Sequence, residues 1–143
     1  MAQTALELLY NWLIVENKKL ILGEDAKKIS AASKLRLLVS QLSIKDKSVP
    51  SEFSSLEEYR RTYSCIDVIE AVVQIRNAII HFQQKKRKKL DKISVKTLSE
   101  AVQLCLWYIE LSILYSLKFK DEYSSRCSKT GLVLPPWITE NTT

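Results

Sequence analysis

A chain of 143 residues, 46% of them apolar, with only two glycines and three prolines, has the size and apolar content of one domain able to build its own core without disulfides or metal. Its three cysteines, Cys65, Cys105 and Cys127, are odd in number and spaced for neither a disulfide framework nor a zinc site, and no secretory leader is evident, so a cytoplasmic chain is expected. The net charge of +6 is local, because residues 83–92 hold six cations against Asp91 and account for +5 of it.

In chain order, Ala5 to Leu22 is rich in Leu, Ile and Val, with Glu7, Asn11 and Lys18 at helical intervals, and predicts a first helix closed by Gly23 as its C-terminal cap. Asp25 is expected to cap a second helix running to about Leu42, with Ile29, Ala32, Leu35, Leu38, Val39 and Leu42 recurring at three-to-four spacing. Ser43 to Phe53 is a loop. Ser55-Leu56-Glu57-Glu58 reads as a capping box opening a short helix toward Tyr63, and Asp67 restarts the chain into another helix. Ser94 caps a long helix to about Phe119 that is apolar on most faces, as befits the centre of a bundle or an oligomer interface. Its most apolar run, Val102 to Leu117, is broken by Gln103, Glu110, Ser112 and Ser116 and is shorter than the ~20 residues of a membrane span, so no membrane association is expected. The fold expected is all-α, a bundle of four to five helices over residues 1–120. Residues 121–143 form an irregular extension, in which Leu132 to Trp137 is an extended strap docked on the bundle.

Chemistry concentrates in Arg76-Asn77-Ala78-Ile79-Ile80-His81, which holds the single histidine of the chain. On a helical wheel Asp67, Glu70, Gln74, Asn77 and His81 share one polar stripe of about 80°, while Arg76 is the one charged residue on the apolar remainder. A guanidinium there needs a partner, a phosphate or an opening to water, since its desolvation is otherwise costly. Arg76 and His81 lie about 140° and ~7.5 Å apart on an ideal helix. Either the helix ends near Ile80 and His81 turns round, or the two meet across a two-fold axis. The basic run Lys85, Lys86, Arg87, Lys88 and Lys89 follows closely and sets a field favourable to phosphates beside the candidate site.

Arg, a polar residue and then His, at this spacing near the end of a bundle helix and followed by a basic loop and a long helix, resembles the HEPN superfamily over roughly residues 1 to 120. The resemblance implies metal-independent cleavage of RNA at a site shared across a homodimer, in toxin or phage-defence biology, with an antitoxin or regulatory domain as a further partner and no cofactor. The residue chemistry suits it independently. Transesterification through the 2′-hydroxyl needs a base, a positive group for the pentacoordinate phosphate and an acid for the leaving oxygen. His81 suits the base, Arg76 the phosphate, and Asn77 the orientation of either. Lys85 to Lys89 suit RNA phosphates.

Each feature also has a structural explanation. Arg76 can pair with Glu110 or Glu7 inside the bundle, His81 can interact with a helix C-terminus, and Asn77, Gln74 and Glu70 can be a solvated face. Trp12, Trp107 and Tyr108 are expected in the core rather than as base-stacking platforms, and the cysteines are expected as packing. A non-catalytic HEPN module binding nucleotide, RNA or a protein partner is the main alternative, and a purely structural dimerisation domain the next. No Gly-rich phosphate loop and no Cys-His hydrolase motif is present.

Overall fold

The computed structural model describes residues 2–80 and 91–138. Among them are six α-helices and one two-stranded ribbon, so the protein is mainly α. Helix α1 (Ala2–Tyr10) runs on into a π-helical segment (Asn11–Asn17), followed by α2 (Gly23–Lys28), α3 (Ala31–Gln41), α4 (Ser54–Thr62), α5 (Val68–Ile80) and α6 (Val95–Ser116). Strands β1 (Tyr123–Ser124) and β2 (Leu132–Val133) pair antiparallel, Tyr123 opposite Val133. Helix α6 is the hub, packing on α1, α4 and α5, while α3 lies against α1 and α5. The shared core includes the fully buried Leu6, Tyr10, Leu35, Leu38, Leu56, Ile69, Leu104 and Leu111.

Three predicted helix boundaries move, two because local hydrogen bonds outcompete the periodic pattern and one because a distant side chain supplies the cap. The first helix stops short of Leu22. The Lys18 N–H reaches back to Leu13 O and Leu20 N–H to Ile14 O, Lys19 takes a left-handed φ of 51°, and Leu20 and Leu22 are left exposed. Gly23, with φ of +57°, opens α2 rather than closing α1. The predicted second helix divides at Ile29 and Ser30, both extended, because the Ser30 hydroxyl accepts the Ser33 N–H at 3.2 Å and caps α3. The expected capping box at Ser55 does not form. Helix α4 follows Phe53 instead, and its buried first-turn N–H at Leu56 donates to Glu100 Oε2 of α6 at 2.7 Å. Glu57 turns to the Arg60 and Arg61 guanidiniums, and Glu58 stays exposed.

Asp67 and Ser94 cap as the sequence predicts. Ser94 Oγ accepts the Thr97 N–H at 3.0 Å. Asp67 Oδ1 accepts the Glu70 N–H at 2.9 Å, Glu70 Oε2 accepts the Ile66 N–H at 2.7 Å, and Arg36 of α3 clamps both Asp67 oxygens at 2.7 and 3.0 Å. Helix α6 ends at Ser116, where Lys118 goes left-handed (φ 56°) and the Phe119 N–H bonds Leu114 O. Beyond it the chain returns along α6. The Trp107 indole N–H donates to Tyr123 Oη at 3.0 Å, Trp137 N–H donates to Phe119 O at 2.9 Å, and the Trp137 ring meets Tyr115 edge-on at 5.3 Å.

Replacing Asp67 by Ala removes an N-cap and strands a half-buried guanidinium, so Asp67→Ala is expected to cost about 2–3 kcal/mol in urea unfolding and Asp67→Asn, which keeps the cap, about half as much. Acid should act through the same groups. Burial pushes the Asp67 carboxyl up, but the Arg36 fork and the Glu70 N–H more than reverse this and hold it below the usual range. Hydrogen bonds from Arg60 and Arg61 hold Glu57 down at about 2. Groups depressed on folding stabilise the native state when ionised, so the urea midpoint is expected to fall as pH drops from about 4.5 toward 2, and Glu57→Gln to flatten part of that slope.

Candidate functional site

Helix α5 carries the predicted site, and its burial explains the placement. Val68, Ile69, Ala71, Val72, Val73, Ile75 and Ala78 are buried against α3, α4 and α6. The polar stripe predicted along this helix does not act as one unit. Its first turn, Asp67 and Glu70, is engaged in capping and in the pair with Arg36. Its last described turn brings Arg76 and Asn77 together, both half-buried, with Arg76 Nη1 donating to Asn77 Oδ1 at 3.3 Å. His81 and the basic residues Lys85, Lys86, Arg87, Lys88 and Lys89 lie outside the described residues.

Neither acidic partner considered for Arg76 takes that role. Glu110 is bonded by Arg126, and among the described residues no carboxylate lies within ion-pair distance of the Arg76 guanidinium. It lines a cleft of about 360 Å³ between α1, α5 and α6. The walls are apolar: Val72, Ile75, Ile79 and Ile80 from α5, and Leu98, Ala101, Val102 and Cys105 from α6. Ile79, Ile80 and Val102 remain 43–50% exposed at its rim. A permanently charged fork set among apolar walls, with no carboxylate pairing it among the described residues, has the charge and donor geometry to attract an anion.

A further residue of the cleft was not anticipated from the sequence. Gln3 is 95% buried (5% exposed) in the first turn of α1 and lines the same cleft, and neither its Nε2 nor its Oε1 has a hydrogen-bond partner among the described residues. The signal existed, because Gln3, Leu6 and Tyr10 fall at i, i+3 and i+7 on one helical face, which makes Gln3 a polar residue at a core position. A buried amide with two donors and an acceptor left open can read the edge of a planar polar ligand. Cys105 adds no nucleophile, since burial pushes its thiol up to about 11 and keeps it protonated at neutral pH. The other cysteines are also free thiols, Cys65 buried and Cys127 partly so.

Of the three aromatic residues expected in the core, Tyr108 is buried and Trp107 packs against the core, but Trp12 is 42% exposed. The wider turns of the π-helical segment bury Leu13 and Ile14 and leave Trp12 outside. Among the described residues no three His, Cys, Asp or Glu side chains converge to hold a metal ion, and no helix is long and apolar enough to cross a membrane.

The described chain is therefore a small mainly-α domain with an apolar-walled, arginine-bearing cleft at the junction of α1, α5 and α6. The family model of the YopA C-terminal domain matches residues 1–135, through the strap that follows α6, and the chain belongs to that family. No curated protein and no solved structure matches it.

The open amide of Gln3 generates a stability prediction. Gln3→Met keeps the shape and removes an unsatisfied buried polar group, so it is expected to raise the unfolding free energy by about 1–3 kcal/mol. A loss of stability in urea titrations at unchanged m-value would mean that the amide is already partnered.

Proposed function

We propose that this chain is a metal-independent endoribonuclease in which Arg76 binds the scissile phosphate, His81 moves the proton and Asn77 orients the Arg76 guanidinium. The observation that carries the proposal is the Arg76 fork in an open cleft without a carboxylate partner among the described residues. The HEPN resemblance that suggests the reaction rests on the Arg76, Asn77 and His81 spacing and is independent of the family match. In the proposed step His81 of one protomer accepts the 2′-hydroxyl proton, and the 2′-oxygen attacks phosphorus. The P–O5′ bond breaks, and O5′ takes a proton from His81 of a second copy, leaving a 2′,3′-cyclic phosphate and a 5′-hydroxyl. The attacking 2′-oxygen and the leaving O5′ lie on opposite sides of phosphorus, so if both proton transfers use imidazole in one in-line step two histidines are needed, which is the chemical reason for a homodimer. The exposed apolar rim, Ile79, Ile80 and Val102, supports this part of the reading by offering surface for a second copy to cover. Lys85, Lys86, Arg87, Lys88 and Lys89 are the proposed contacts to RNA phosphates away from the bond that breaks, and toxin or phage-defence biology is the proposed setting.

A specific feature favours a second reading in the same cleft. The open Gln3 amide is a recognition group rather than a reactive one, which suits a non-catalytic module that holds a nucleotide between Gln3 and Arg76.

Under the nuclease reading, His81→Ala and Arg76→Ala should each lower RNA cleavage by a factor on the order of 10² or more, while far-UV circular dichroism and the urea midpoint of His81→Ala stay near the parent. Light scattering at micromolar concentration should give a dimer. Retained cleavage in both variants would refute the assignment, and tight nucleotide binding with no cleavage would establish the second reading.

A further inference from the structure

On a different face from the Arg76 cleft, where the first helix and α6 both terminate, lies a larger concavity of about 660 Å³. Trp12, Tyr115 and Trp137 supply aromatic surface to it, and Lys18, Lys118 and Lys120 are all exposed at its edge. Among the described residues that line it none is acidic. Its parts are held in place by the fold. Trp137 is pinned by its bond to Phe119 O and its edge contact with Tyr115, whose hydroxyl accepts the Gln41 Nε2–H at 2.8 Å. The left-handed turn at Lys118 and the end of the π-helical segment at Lys18 bring the lysines to the same rim. Trp12 differs from the other two rings, because 42% of its surface is exposed and its indole N–H has no protein partner among the described residues.

We infer that this concavity is a second nucleic-acid site, which takes a single-stranded polynucleotide by stacking a base on Trp12 and pairing the flanking phosphates with Lys18, Lys118 and Lys120. A stacking face ringed by cations is what an unpaired strand requires, since each base offers a planar face and each linkage a negative charge. A duplex hides its base faces and satisfies only the lysines. A membrane surface would call for aromatic residues projecting from a convex face, whereas Trp12, Tyr115 and Trp137 line a hollow. The inference does not depend on the proposed cleavage, since none of its residues touches the Arg76 cleft.

Fluorescence anisotropy with labelled oligo-uridine 12-mers and the full chain tests it, with His81→Ala as the parent background so that no substrate is consumed. Trp12→Ala should weaken binding about tenfold and Trp12→Phe much less, because a ring is retained. Changing Lys18, Lys118 and Lys120 together to Gln should weaken it at least tenfold and lower the slope of log affinity against log salt by about 2. Arg76→Ala in the same background should leave these differences intact, which separates this site from the proposed catalytic one. Binding that is unmoved by Trp12→Ala, equal affinity for a duplex of the same length, or stronger retention on anionic phosphatidylserine vesicles than on the oligonucleotide would overturn the inference.

Discussion

Desolvating the Asp67 carboxylate at the start of α5 is tolerable because the Arg36 guanidinium meets both of its oxygens and the Glu70 N–H supplies a further donor. The arrangement does two things at once. It satisfies an amide at the first turn of α5, and it fastens that turn to α3, which is itself fixed by Leu35, Leu38 and Val39 in the core. With its first turn fixed and its apolar face buried, α5 can place its last described turn in only one way. Arg76 then faces the cleft beside α1 and α6 rather than the solvent or the core.

The interior uses buried polar groups selectively. Glu100, 7% exposed, is matched by the Leu56 N–H at the start of α4, so its burial joins α4 to α6. Ser112 is completely buried and returns its hydroxyl to Tyr108 O on its own helix. Gln3 has no such arrangement, and it is the polar group among these three that lines a cleft. Tyr10 Oη is also buried without a hydrogen-bond partner among the described residues, but of these two groups it is the Gln3 amide that lines the cleft with Arg76, a placement that packing alone does not explain.

Helix type and the two caps at Asp67 and Ser94 were legible because they depend on residues a few positions apart. The failed predictions involve competition at a distance or between neighbouring signals. The N-terminus of α4 is capped by Glu100, 44 residues away, and no local reading of Ser55 to Glu58 contains that partner. The hydrophobic period from Ile29 to Leu42 predicts one continuous helix, and the Ser30 hydroxyl bond to the Ser33 N–H overrides it. In the candidate site, Arg76 stood out as a charge on an apolar arc, but its partner Asn77 was assigned to the opposite stripe, because a helical wheel omits side chains that bend toward a neighbour. Gln3 and the exposure of Trp12 depended on how α1 and its π-helical continuation pack, which periodicity at 100° per residue does not encode.

The proposed chemistry uses a feature of the substrate itself, the 2′-hydroxyl adjacent to the phosphate that Arg76 would hold. The most direct test is to map a cleaved bond in a short RNA and then replace only the nucleotide on its 5′ side by the 2′-deoxy form. The account predicts that cleavage at that bond disappears while affinity for the oligonucleotide and cleavage at other bonds remain. Continued cleavage at the deoxy-substituted bond would contradict it, since the attacking oxygen would then have come from elsewhere.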